Sequence, residues 1–229
     1  MEDGGPAAEL FEPGFEPGTP LEQLRRSVGG LGVELEVIER RILAPRSQSA
    51  AKLAALGVGI PRGLLLHGPP GCGKTLMARE IAAALGAKTT KVINGPEMMS
   101  RYVGEAERWT RELFYDAETE AASGGTRLHV LVLDELDSFA RERGTLVGDP
   151  GIRDSVVNTL LAKLDGVKAL PNLLVIGTTN RIDLIDPALL RPGRFEVHVQ
   201  VRECDRSFFN AFFAFFMRLL SSVAVCYLL

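Results

Sequence analysis

Cysteine is scarce. Cys72, Cys204 and Cys226 are the three in 229 residues, and no two share a paired spacing. That shortage argues against a disulfide framework or a zinc site and points to a reducing compartment. A surplus of positive charge is also missing. Lys and Arg number 26 against 29 Asp and Glu, for a net charge of −3, which argues against a large nucleic-acid-binding surface. The first 30 residues carry acids, prolines and glycines where a secretory leader would be basic and then apolar, so no signal peptide is expected there. Apolar residues are not in short supply. At 46% of the chain they suffice for one sizeable domain with a little left over.

Residues 1–26, with the near-repeat FEPG, read as a flexible arm whose two phenylalanines offer docking points. A short amphipathic helix is expected from Leu31 to Arg41. Strands are expected at Leu64–Leu66, Lys91–Ile93, Leu128–Leu133, within 172–180 and at Phe195–Val201. Between them, helical spacing marks Lys74–Leu85, about Glu105–Ala122, and a stretch outlined by Val156, Val157, Leu160, Leu161 and Leu164. The alternation predicts an α/β fold of three layers, a five-stranded parallel sheet flanked by helices. Residues 27–201 form the expected domain and 202–229 a divergent hydrophobic tail.

Residues 68–75, GPPGCGKT, fit G-x-x-x-x-G-K-[ST] between an expected strand and an expected helix, the context a phosphate-binding loop requires. Gly68, Pro69, Pro70, Gly71, Cys72 and Gly73 would curl the backbone around an anion. Lys74 would reach the β- and γ-phosphates, and the Thr75 hydroxyl would bind Mg²⁺. Leu76 begins the helix beside them. The expected ligands are ATP and Mg²⁺. Asp134 and Glu135 end the buried run LVLDE; Asp134 would hold Mg²⁺ through water, and Glu135 would activate the attacking water. Asn180 closes the neighbouring strand, where its amide would position that water or simply form a turn.

A guanine-reading N-K-x-D element is absent, and the acceptor pocket and lid arginines of a small-molecule kinase are not clearly supplied. The acid pair therefore favours hydrolysis over transfer. Arg191 and Arg194, separated by Pro-Gly, form either a loop presenting guanidinium groups outward to a neighbour's phosphoryl group or a solvated surface turn.

HGPPGCGKT, LVLDELDS, SVGGLG and GTTNRIDLIDPALLRPGRFE together resemble an AAA-family ATPase module. More narrowly, KVINGPEMMSRYVGEAE and VVNTLLAKLDGV resemble the first ATPase domain of the vesicle-fusing branch, the N-ethylmaleimide-sensitive fusion factors. The valosin-containing and proteasomal branches fit less well. The resemblance covers roughly residues 27–201. It implies a hexamer that disassembles SNARE complexes through an adaptor, in the cytoplasm and peripheral to vesicle and Golgi membranes. It implies that Tyr102, Val103 and Gly104 form a pore loop gripping substrate polypeptide, where an aromatic side chain holds any passing chain. It further places Gly29, Gly30 and Leu31 near the adenine and makes Arg191 and Arg194 arginine fingers.

Beyond Val201 the resemblance stops, and the helical lid typical of the family is not seen. Residues 208–229 are mostly apolar, interrupted by Asn210 and Arg218. The run admits three readings: read-through of non-coding sequence, a membrane anchor, or a helix replacing the lid. Two functions follow. One is an ATP-hydrolysing remodelling module, of the vesicle-fusion type or of another AAA unfoldase type. The other is an ATP-binding fragment without turnover of its own.

Overall fold

A computed structural model describes residues 22, 24–25, 28, 31–48, 52–53, 57, 59–99, 103–141, 150–165 and 170–202. For 103–107 and 150–153 it describes the backbone alone. Five strands form one sheet: β1 (Gly63–His67), β2 (Thr89–Asn94), β3 (His129–Asp134), β4 (Leu173–Thr179) and β5 (Phe195–Gln200). Their order is β2-β3-β4-β1-β5, and every pairing is parallel. The expected five-stranded parallel sheet is the one observed.

The strands alternate their side chains between two covered faces. Leu64, Leu66, Val130, Val132, Leu174 and Ile176 point into one apolar layer. It is closed by α1 (Gly32–Ile38), a π-turn at Glu39–Leu43 and α3 (Lys74–Ala84); the short α2 (Ala44–Ser47) follows the π-turn. Leu65, Leu131, Leu133 and Val175 point into the other. That layer lies under α4 (Gly95–Met99), α5 (Val103–Ala122) and α6 (Pro150–Asp165). Burial on both faces explains why β3 and β4 read as unbroken apolar runs.

Three differences from the sequence reading have local causes. Leu24, inside the stretch expected to be a flexible arm, is fully buried in the first layer. It begins a stripe continued by Val28, Leu31, Leu35, Ile38 and Ile42, spaced four and three residues apart as on one helical face. Helix α5 starts at Val103, two residues before Glu105, so Val103 and Gly104 belong to its first turn. A short helix, α4, also interrupts the connection from β2 to α5. Tyr102, Gly29, Gly30 and the apolar tail lie outside the described residues. Among the described residues, no helix is long and apolar enough to cross a membrane.

Candidate functional site

The site lies at the C-terminal ends of the strands, where parallel sheets open toward ligands. β1 ends at His67, and the loop 68–73 turns directly into α3. Gly71 and Gly73 adopt φ of 79° and 84°, a left-handed backbone that only glycine takes without strain. A Cβ added at either would meet nothing within 4 Å, so the space beside both glycines is open. The first-turn N–H groups of α3 have no acceptor within their own helix and carry its positive dipole end.

Lys74 is buried, and its ammonium donates to the carbonyls of Gly68 at 2.9 Å and Pro69 at 2.7 Å. No carboxylate among the described residues pairs with it. The loop thus holds a cation without its counter-ion, as an anion site requires. Burial, followed by His198 and then Lys74, lowers the pKa of His67 beneath the loop. Cys72 is half-buried, donates to the Pro69 carbonyl at 2.9 Å, and has its sulfur 3.6 Å from Lys74 Nζ.

Thr75 and Asp134 are 59 residues apart in sequence, yet the Thr75 hydroxyl donates to Asp134 Oδ1 at 2.9 Å and Oδ2 at 3.0 Å. Hydroxyl and carboxylate oxygens are the hard donors a Mg²⁺ ion prefers. The open glycine turn, the unpaired cation and this oxygen pair all fit Mg²⁺-nucleotide. Glu135 follows, exposed, at φ 54° and ψ 50°, the single non-glycine with positive φ among the described residues. Such a conformation costs on the order of 1–2 kcal/mol, and it turns the chain sharply beyond β3. Asn180 is exposed immediately past β4. Leu76 is 53% exposed beside the loop.

The two arginines part company. Arg191 is exposed, as an outward-facing loop requires. Arg194 is not presented outward: its guanidinium donates to both oxygens of Asp165 and to the Ala188 carbonyl of its own chain. Asp165 is the last residue of α6, so its carboxylate meets the negative end of that helix dipole and draws in a cation. This corrects the expected outward orientation of Arg194.

Sequence reasoning missed Thr178 and Thr179. Both are 1% exposed at the end of β4. The Thr178 hydroxyl donates to Asp134 Oδ1, and that of Thr179 donates to Asp137 Oδ1 at 2.7 Å. A pair of hydroxyls closing an otherwise apolar strand was the available signal.

Comparison with known proteins agrees with this geometry. A profile of the ATPase family associated with various cellular activities (AAA) matches residues 64–203. The chain is 53% identical over 180 residues to the vesicular-fusion protein SEC18 of Saccharomyces cerevisiae, covering 78% of this chain and 24% of that protein. Identity to the vesicle-fusing ATPase of Arabidopsis thaliana is 49% over 189 residues, 82% of this chain and 25% of that protein. A proteasome-associated ATPase of Kineococcus radiotolerans is more distant, at 39% over 221 residues, 91% of this chain and 37% of that protein. The chain thus spans about a quarter of the length of the vesicle-fusing relatives it matches. With the glycine turn of the phosphate loop, the Thr75–Asp134 pair and the five-stranded parallel sheet all in place, the chain belongs to the AAA family of ATPases.

Proposed function

We propose that this chain is the ATP-hydrolysing module of a protein-remodelling machine of the vesicle-fusing type, whose work is the disassembly of SNARE complexes. The observation that carries the reading is the direct hydrogen bond between Thr75 and Asp134 beneath the phosphate loop. The names of the relatives support vesicle fusion over proteasomal work.

When bound, Mg²⁺-ATP supplies an electrophilic γ-phosphoryl group and a cation that neutralises its charge. The loop amides and Lys74 would hold the phosphates, Thr75 and Asp134 would hold the metal, and Leu76 would border the nucleotide site. Glu135 would take up the proton of a water attacking that group, and Asn180 would orient the water. Arg191, which is exposed, would act on the nucleotide of a neighbouring copy in a hexameric ring, and Arg194 would join it only on leaving Asp165. By the resemblance, Gly29 and Gly30 would serve the adenine. Tyr102, Val103 and Gly104 grip the substrate chain in the pore. The module works in the cytoplasm, against vesicle and Golgi membranes, without nucleic acid.

The engagement of Arg194 with Asp165 favours a second reading, a unit that binds ATP without turnover of its own. Steady-state ATPase activity measured across protein concentration, with Glu135→Gln as control, separates the two. Turnover that rises with concentration and is lost in the variant supports a ring. Binding without turnover at any concentration supports the second reading. A chain that binds no nucleotide overturns both.

A further inference from the structure

β3 and β4 run side by side with Leu133 opposite Gly177, so the next step along the sheet sets Thr178 beside Asp134. Thr178 is 1% exposed, and both functions of its hydroxyl are in use. It donates to Asp134 Oδ1 and accepts the backbone N–H of Glu135 at 3.2 Å. A buried hydroxyl so engaged has no competing water and one stable orientation. It therefore fixes two neighbours at once: a carboxylate oxygen on one side and, on the other, the strained turn at Glu135, where φ is 54°.

Two threonine hydroxyls converge on the same carboxylate. Thr75 reaches it from the phosphate-loop helix at 2.9 and 3.0 Å, and Thr178 from β4. They differ in what metal binding asks of them. The Thr75 oxygen is the one that would turn to a divalent cation, which withdraws its hold on Asp134. Thr178, on the strand behind, has no such second task. Of the two, it is the hydroxyl that keeps Asp134 in place in either state.

We propose that Thr178 is a positioning residue of this site: its hydroxyl aims the Asp134 carboxylate at a bound divalent cation and sets the backbone turn that aims Glu135. The proposal rests on the reading of the site as one for Mg²⁺-nucleotide. Groups that orient a metal's ligands typically matter about 10- to 100-fold in metal affinity or activity.

The test is a calorimetric titration with a nonhydrolysable ATP analogue across a Mg²⁺ series, with an EDTA arm, for the wild-type, Thr178→Val and Thr178→Ser chains. Valine keeps the shape and removes the hydroxyl; serine keeps the hydroxyl. The expected result is a Mg²⁺ midpoint raised about tenfold in the valine chain, unchanged affinity in EDTA, and a midpoint restored by serine. If the valine chain does not fold, Thr178→Ala takes its place with the same expectation. An unmoved Mg²⁺ midpoint overturns the proposal. So does a loss of affinity equal in both arms and not rescued by serine, which would mark a packing role alone. A wild-type chain that binds the analogue in neither arm overturns the functional reading itself, and this proposal with it.

Discussion

Arg194 and Asp165, 29 residues apart in the chain, meet as a two-pronged ion pair. Arg194 Nε donates to Asp165 Oδ1 at 2.7 Å and Nη2 donates to Oδ2. The contact ties the loop before β5 to the end of α6. It also holds, within its own chain, an arginine expected to serve a neighbour. The hydrogen bond from Arg194, ahead of the cost of burial, holds the Asp165 carboxyl below its ordinary value of 3.8. The pair's stabilisation is therefore complete above that value and is lost as pH falls through the lower folded one. A double-mutant cycle with Arg194→Ala and Asp165→Ala in urea should give a coupling of about 0.5–1 kcal/mol at pH 7, because the carboxylate is half exposed. The coupling should shrink as the solution is acidified below 3.8. A coupling unchanged in acid would mean that the charge on Asp165 is not what holds Arg194.

Lys74 makes its contacts with its own loop, at Gly68 and Pro69, so removing it takes the positive charge out of the loop while leaving both apolar layers intact. Lys74→Ala should weaken ADP binding about 10- to 100-fold, the worth of one or two bonds to a charged group. The thermal midpoint should stay close to wild type. Titration calorimetry and a melting curve read the two separately, and equal affinity in the two proteins would remove Lys74 from the site.

Cys72 sits within the loop, half-buried, with its sulfur 3.6 Å from Lys74 Nζ. Carboxamidomethylation there would place a new group where phosphate is expected. Iodoacetamide should abolish nucleotide binding by a chain whose other cysteines are replaced, and bound nucleotide should slow the reaction. Affinity that survives complete modification, checked by mass, would show the loop geometry to be wrong.

His129 carries a pH dependence far from the site. It is 4% exposed, shares a hydrogen bond of 2.7 Å between Nδ1 and Thr89 Oγ1, and has Nε2 buried without a partner among the described residues. Burial, the largest influence, lowers its pKa from 6.5; Glu120 and Asp116 oppose the shift, and Lys88 and Lys91 assist it. The folded state therefore binds this proton less readily than the unfolded chain. Stability should fall as pH drops below 6.5, by at most about 1.4 kcal/mol per pH unit from this group. Chemical denaturation from pH 7.5 to 5.5 should show a shallower decline in His129→Phe, with His67, also held low, supplying what remains. Identical slopes would mean that His129 is not the group responsible.

Much of the fold was legible because its signals are local. Strands buried on both faces, such as Leu173–Thr179, are mostly apolar, and their run lengths mark them between helical stretches. The phosphate loop was legible for the same reason: its glycines, Lys74 and Thr75 fall within eight consecutive residues. The burial of Leu24 was also written in its spacing to Val28 and Leu31, but the Pro- and Gly-rich stretch before it masked the stripe. The start of α5 at Val103 was blurred by Gly104, a poor helix former.

The sequence by itself determined the layers, the loop and the acid pair, since each depends on residues adjacent in the chain or at a fixed helical or strand period. Tertiary structure alone decided what those residues touch. That Thr178 would stand beside Asp134 depends on the register of β3 against β4, and that Arg194 would turn back onto Asp165 depends on where α6 ends. The left-handed turn at Glu135 opposes that residue's own preference and is accompanied by the hydrogen bond from its N–H to Thr178. Contacts between residues tens of positions apart are set by how the sheet and helices pack, and a local pattern carries no record of that packing.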